Sequence, residues 1–214
     1  MSATATNLGA HAPSDHGHEH GHAHGHDKSG TVIFGFWIFL MSDLIAFSLF
    51  IATYADAEWH GIANGPSPHE LFSLGLPSLE TLALLISTFT FGICTLGMKY
   101  NATMRRTIGW LVVTLAFGAI FLGIELYEFH EFWTEGNTPQ VSGFLSAYYA
   151  LVGMHGLHVT SGIIWGLLLI VQMKTMGMTE LVKTRLMRLG LFWHMLDIVW
   201  IALFTKIYLM GVLS

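Results

Sequence analysis

The sequence predicts an all-α membrane protein with five transmembrane helices, its N-terminus cytoplasmic and its C-terminus outside. Three observations predict it. Apolar residues are gathered into five blocks, each long enough to cross about 30 Å of hydrocarbon at about 1.5 Å per residue. The blocks are continuous, without the two-residue alternation of barrel strands. Lys and Arg are confined almost entirely to alternate loops. Composition agrees. The chain has 214 residues, 53% hydrophobic and 11% charged, whereas a soluble domain averages about a quarter charged.

The elements run in order. Residues 1–30 read as a disordered, His-rich cytoplasmic tail, and residues 31–214 as one transmembrane domain. In the tail His16, His18, His20, His22, His24 and His26 occupy every second position. Gly, Ala and charged neighbours give them no core-forming face. Imidazole binds nickel, copper or zinc, so these residues are the candidates that a metal role would use. Their spacing is not a zinc-site pattern, and no metal site is expected. The first 28 residues lack an apolar core, so no cleaved signal peptide is expected and the first span directs insertion.

The spans fall near 32–54, 79–98, 108–127, 143–173 and 189–213. The fourth is longer than the bilayer needs and must tilt, kink or project. Lys28 precedes the first span. Lys99, Arg105 and Arg106 separate the second and third. Lys174, Lys183, Arg185 and Arg188 separate the fourth and fifth. The two remaining loops carry no Lys or Arg, which sets the orientation by the positive-inside rule. Lys206, near the outer end of the fifth span, is expected to snorkel outward. Tyr54, Trp59 and Trp133 suit an outer aromatic belt. Cys94, the single cysteine, reads as a small core hydrophobe. No basic patch suggests nucleic acid.

Function rests on the polar residues inside these spans. Asp43 lies in the first span and Glu80 opens the second. Glu125 and Glu128 close the third on one helical face. His155 and His158 share a face of the fourth, and His194 and Asp197 a face of the fifth. Polar groups in hydrocarbon are costly unless they find partners, so such residues face protein or water. A relay for protons or cations and a set of interhelical hydrogen bonds are both consistent with them. His194 and Asp197 can pair directly, or each can reach another span. Two histidines on one side of a helix cannot clamp a haem between them. GIIWG at 162–166, extended by Gly153 and Gly156, supplies small residues for close packing. No hydrolytic nucleophile arrangement, phosphate loop or dinucleotide fingerprint is present, so no active site held wholly on this chain is expected.

Two islands make the sequence recognisable. SGFLSAYYALVGMHGLHVTSGIIW at 142–165 and LFWHMLDIVW at 191–200 resemble the signature of subunit III of the haem–copper oxidases. SLETL at 78–82 and GIELYEF at 123–129 look like that family's carboxylate-headed helix and acidic helix end. The resemblance runs from about Gly35 to the C-terminus. IFGFWIFLMSD at 33–43 and the His-rich tail are similar to the short, five-helix form of bo-type ubiquinol oxidases.

The resemblance implies a non-catalytic subunit of a proton-pumping terminal oxidase in a bacterial inner (plasma) membrane. Haem b, haem o and copper would sit in subunit I, with no cofactor on this chain. Subunits I, II and IV and phospholipids would be partners, and the complex would use ubiquinol. Glu80, His155, His158, His194 and Asp197 match the family's polar positions. They are expected to organise a helix interface and a lipid cleft, with Asp43 and Glu125 beside them. Two rivals stand: subunit III of a bacterial cytochrome c oxidase, and a stand-alone proton-coupled or metal transporter.

Overall fold

The computed structural model describes residues 24–60, 74–100 and 103–213. These form five long helices: α1 (His24–His60), α2 (Gly75–Lys99), α3 (Met104–Thr134), α4 (Gly143–Met176) and α5 (Glu180–Leu203). A π-helical turn, Phe204–Leu209, and a final turn, Met210–Leu213, extend α5. All five helices are long and apolar enough to span a membrane.

Every helix overruns its predicted span. The sequence limits mark where charge begins, whereas a helix continues into the interface until its backbone is capped. α1 begins at His24, so 24–30, assigned to the tail, are helical. Residues 1–23, with most of the tail histidines, lie outside the described residues. α3 runs to Thr134 rather than 127, carrying the buried Glu128 and Phe132. α5 starts at Glu180 rather than 189. The Thr179 side chain caps it there by accepting a hydrogen bond from Val182 N–H. Ser142 caps α4 in the same way, accepting from Leu145 N–H at 3.2 Å. The α4–α5 hairpin turns at Gly177, whose φ of +70° suits glycine. Arg185 donates to Gln172 across it at 2.6 Å.

α5 is the centre of the bundle and α1 its edge. About 61% of the apolar window of α5 is buried, against 11% for α1. α5 packs on α1, α2 and α4, whereas α1 touches chiefly α4 and α5. α1 contributes a single stripe, Leu40, Phe47 and Tyr54, at two-turn spacing. The π-helical turn widens the helix and adds Tyr208 to the face already held by Leu203 and Ile207.

The glycines of α4 admit large side chains from its neighbours, the role expected of small residues between spans. A Cβ at Gly162 would stand 3.1 Å from Trp193 and 3.2 Å from Phe192. One at Gly166 would meet Leu115 at 2.6 Å. Gly153 is ordinary, with only Phe129 nearby at 3.8 Å.

Two expected surface residues are interior. Tyr54 is fully buried against Phe144 instead of joining the aromatic belt. Trp59, at 82% exposure, and Trp133 do lie on the surface. Lys206 does not snorkel alone; its Nζ donates to Glu58 of α1 at 2.7 Å. In both cases the outer end of α1 packs on the bundle, burying its own Tyr54 against α4 and bringing Glu58 to Lys206. Cys94 is buried, with its thiol against the Thr107 carbonyl.

Candidate functional site

The polar residues form separate groups along the helix seams rather than one centre. The first lies where α2, α3, α4 and the end of α5 meet. Glu128 accepts hydrogen bonds from Tyr208 at 2.7 Å and Tyr148 at 3.2 Å, and the two hydroxyls stand 3.1 Å apart. Glu80, fully buried, faces Glu125 and Glu128 at electrostatic range. Neither carboxyl oxygen of Glu80 has a hydrogen-bond partner among the described residues. The Glu125 carboxyl lies over Gly156, where a Cβ would come within 2.6 Å of Oε1. Gly156 is thus the space that lets Glu125 approach α4.

The second group joins α1 to α4. His158 donates from Nδ1 to the Met154 carbonyl at 2.8 Å, and its Nε2 faces Asp43 Oδ2 at 3.6 Å. With Nδ1–H committed to the backbone, a proton on Nε2 converts this approach into an ion pair. The third group lies on the α2–α5 seam. Asp197 accepts a hydrogen bond from Thr88, and His194 Nδ1 stands 3.7 Å from the same carboxylate oxygen. The direct His194–Asp197 pairing therefore holds, supplemented by Thr88.

His155 belongs to none of them. It shares a helix face with His158 but is fully buried in an aromatic cage. It stacks on Trp200 at 5.3 Å, with the edges of Phe121 and Phe47 beside it. Neither ring nitrogen has a partner among the described residues. Among the acids inside the spans, Glu80 and Glu125 lie with Glu128, and Asp197 lies with His194. Asp43 is the one that reaches His158.

Sequence reasoning missed the hydroxyls of α2. Thr81 accepts from Trp200 Nε1, and Ser87 from Trp193 Nε1, each at 3.1 Å. Ser87 also donates to the Thr114 carbonyl of α3 at 2.9 Å. The signal was present in part: Trp193 and Trp200 are two turns apart on α5, and Ser87 and Thr81 stand nearly two turns apart on α2. A hydroxyl stripe facing an indole stripe is a seam. Tyr148 and Tyr208 were missed because an aromatic in a span reads as apolar until its hydroxyl finds a carboxylate.

No three His, Cys, Asp or Glu side chains among the described residues converge to hold a metal ion. What the arrangement does chemically is join helices through hydrogen bonds that the hydrocarbon cannot replace.

Fold and site together define a helical membrane protein whose polar side chains join its helices to one another. The chain belongs to the cytochrome c oxidase subunit III family, whose model matches residues 14–212. It is 49% identical over 187 residues to cytochrome bo(3) ubiquinol oxidase subunit 3 of Pseudomonas putida, covering 87% of this chain and 89% of that protein. The Pseudomonas aeruginosa protein of the same name is 46% identical over 93% of this chain and 90% of its own length. Quinol oxidase subunit 3 of Bacillus subtilis is 37% identical over 92% and 97% respectively.

Proposed function

We propose that this chain is the non-catalytic subunit III of a proton-pumping ubiquinol oxidase of the bo type. Oxygen reduction occurs elsewhere in the complex, at haem b, haem o and copper of subunit I. Subunits II and IV complete it in a bacterial inner membrane, with this chain's N-terminus in the cytoplasm. Its work is to brace subunit I, sustain proton uptake and hold phospholipid between its helices. The names of the relatives support ubiquinol over cytochrome c as electron donor.

One observation carries the assembly role. The His194 side chain is 49% exposed in the middle of α5, beside Asp197 and on the same helix face as the exposed Ile198 and Ile201. Lipid tails offer an imidazole nothing, at a cost of several kcal/mol. That face is best covered by another protein, and subunit I is the neighbour. Glu80, Glu125, His155, His158 and Asp43 act inside the subunit, setting the positions of the helices that present this face.

The test is purification through a tag on this chain. A complex that absorbs as haem and consumes oxygen faster with ubiquinol than with reduced cytochrome c is expected. His194→Ala and Asp197→Ala should each lower recovery of subunit I, since a polar group left unpaired costs about 1–3 kcal/mol. A chain that purifies alone, without haem, and moves protons or metal in liposomes would overturn the proposal.

A further inference from the structure

The two ring nitrogens of His194 have different surroundings. Nδ1 faces Asp197 Oδ2 at 3.7 Å, and Thr88 donates to that same oxygen. Asp197 is buried, and the buried Phe91 stands edge-on to the imidazole at 6.1 Å. Nε2 has no hydrogen-bond partner among the described residues, on a side chain that is half exposed. Along α5 the residue lies between Arg188 and Lys206, the nearest cations on either side. At about 1.5 Å per residue it is about 9 Å from the level of the first and about 18 Å from that of the second.

A carboxylate beside one nitrogen of a neutral imidazole keeps the ring hydrogen there and makes the other nitrogen an acceptor. At His194 the hydrogen therefore sits on Nδ1 and the lone pair of Nε2 faces outward. Asp197 is the positioning residue, and Thr88 holds its carboxylate in place. An acceptor at this depth requires a donor. Acyl chains carry none, and headgroups and water lie at the levels of the two cations. The backbone N–H groups of a neighbouring helix are spent on its own turns. What remains is a donor side chain on another membrane helix. We infer that His194 Nε2 accepts a hydrogen bond from a hydroxyl or N–H side chain of the subunit I helix that covers the α2–α5 seam. This rests on the reading of the chain as subunit III and adds a direction to the contact: the partner donates, and a carboxylate or carbonyl in its place would be rejected.

The test uses the complex that copurifies with this chain, with its histidines isotopically labelled for nitrogen NMR in alkaline buffer. The His194 signals, assigned by their absence from His194→Gln, should show a protonated Nδ1 and an unprotonated Nε2. The second readout is the rate at which this chain leaves subunit I in detergent, since changes at an interface act mostly on dissociation. His194→Leu should dissociate about tenfold faster, the effect of one lost hydrogen bond with its donor left unpaired. His194→Gln, whose amide oxygen can take the place of Nε2, should restore most of the wild-type rate. His194→Asn is too short to do so and should behave as His194→Leu. Asp197→Asn should move the ring hydrogen to Nε2, as an amide does behind the histidine of a catalytic triad, and speed dissociation although the imidazole is intact. A protonated Nε2 in the wild type, wild-type dissociation of His194→Leu, or unchanged dissociation of Asp197→Asn overturns the bond and leaves the subunit III reading standing. His194 signals that follow added ubiquinol rather than subunit I overturn the protein donor in favour of the quinol. A chain recovered without subunit I overturns both the bond and the reading beneath it.

Discussion

Replacing Gly118 with alanine tests whether Trp193 holds the bundle together. The indole inserts between α3 and α4, and its Nε1 is tied to Ser87 of α2 at 3.1 Å. A Cβ at Gly118 would stand 2.8 Å from Cζ2 and 2.9 Å from Cη2. Carbon atoms rest about 3.5–4.0 Å apart, so the ring must retreat by roughly 1 Å. It has little room to do so. Gly162 lies on the other flank, where even an added Cβ would be only 3.1 Å away. Overpacking of this kind costs about 1–3 kcal/mol, and the blocked retreat places Gly118→Ala near the upper end. For a chain of this size that is about 4–12 °C in melting temperature. The assay is a thermal-shift measurement on the purified complex, repeated in a Trp193→Phe background. The smaller ring should leave space for the methyl, so the alanine penalty should fall below about 0.5 kcal/mol there, a coupling well above the error of such cycles. Equal penalties in the two backgrounds would refute the reasoning, because the clash would then not be with Trp193.

Two further outcomes follow from the same packing. Lys206→Met should destabilise the fifth helix against the first by about 1–3 kcal/mol, since Glu58 loses its cation in a partly buried setting. The reciprocal pair Glu58→Lys with Lys206→Glu should recover most of that loss in the same thermal assay. Ser142→Ala should cost about 1 kcal/mol by uncapping α4; hydrogen exchange should show the first turn, 143–146, opening faster while 155–170 is unaffected.

Helix number and the membrane class were legible because they depend on composition within one segment. An apolar block of the right length has no soluble alternative that hides its surface, and its backbone must satisfy itself as a helix. The residues that bind helix to helix were legible as a set, since acids and imidazoles stand out against hydrocarbon. Their pairing was not. Asp43 reaches His158 only because α1 lies against α4, and Glu80 meets Glu125 and Glu128 only because α2 packs on α3. Sequence spacing fixes which side chains share a helix face. It does not fix which face meets which neighbour.

Tyr54, Lys206 and His155 show the limit most clearly. Tyr54 and Lys206 had the composition of interfacial residues, yet the approach of α1 buries one and pairs the other. His155 and His158 differ in environment although they share a face of one helix. His158 points toward α1 and an acid, while His155 points into Phe121 and Trp200. By itself the sequence determined five apolar helices, their polar content and the family signature at 142–165 and 191–200. The tertiary structure alone decided the order of packing and hence the partners. The reason is physical: between spans, hydrocarbon is as good a solvent as another apolar side chain, so contacts are chosen by shape and hydrogen bonds that exist only once the helices are side by side.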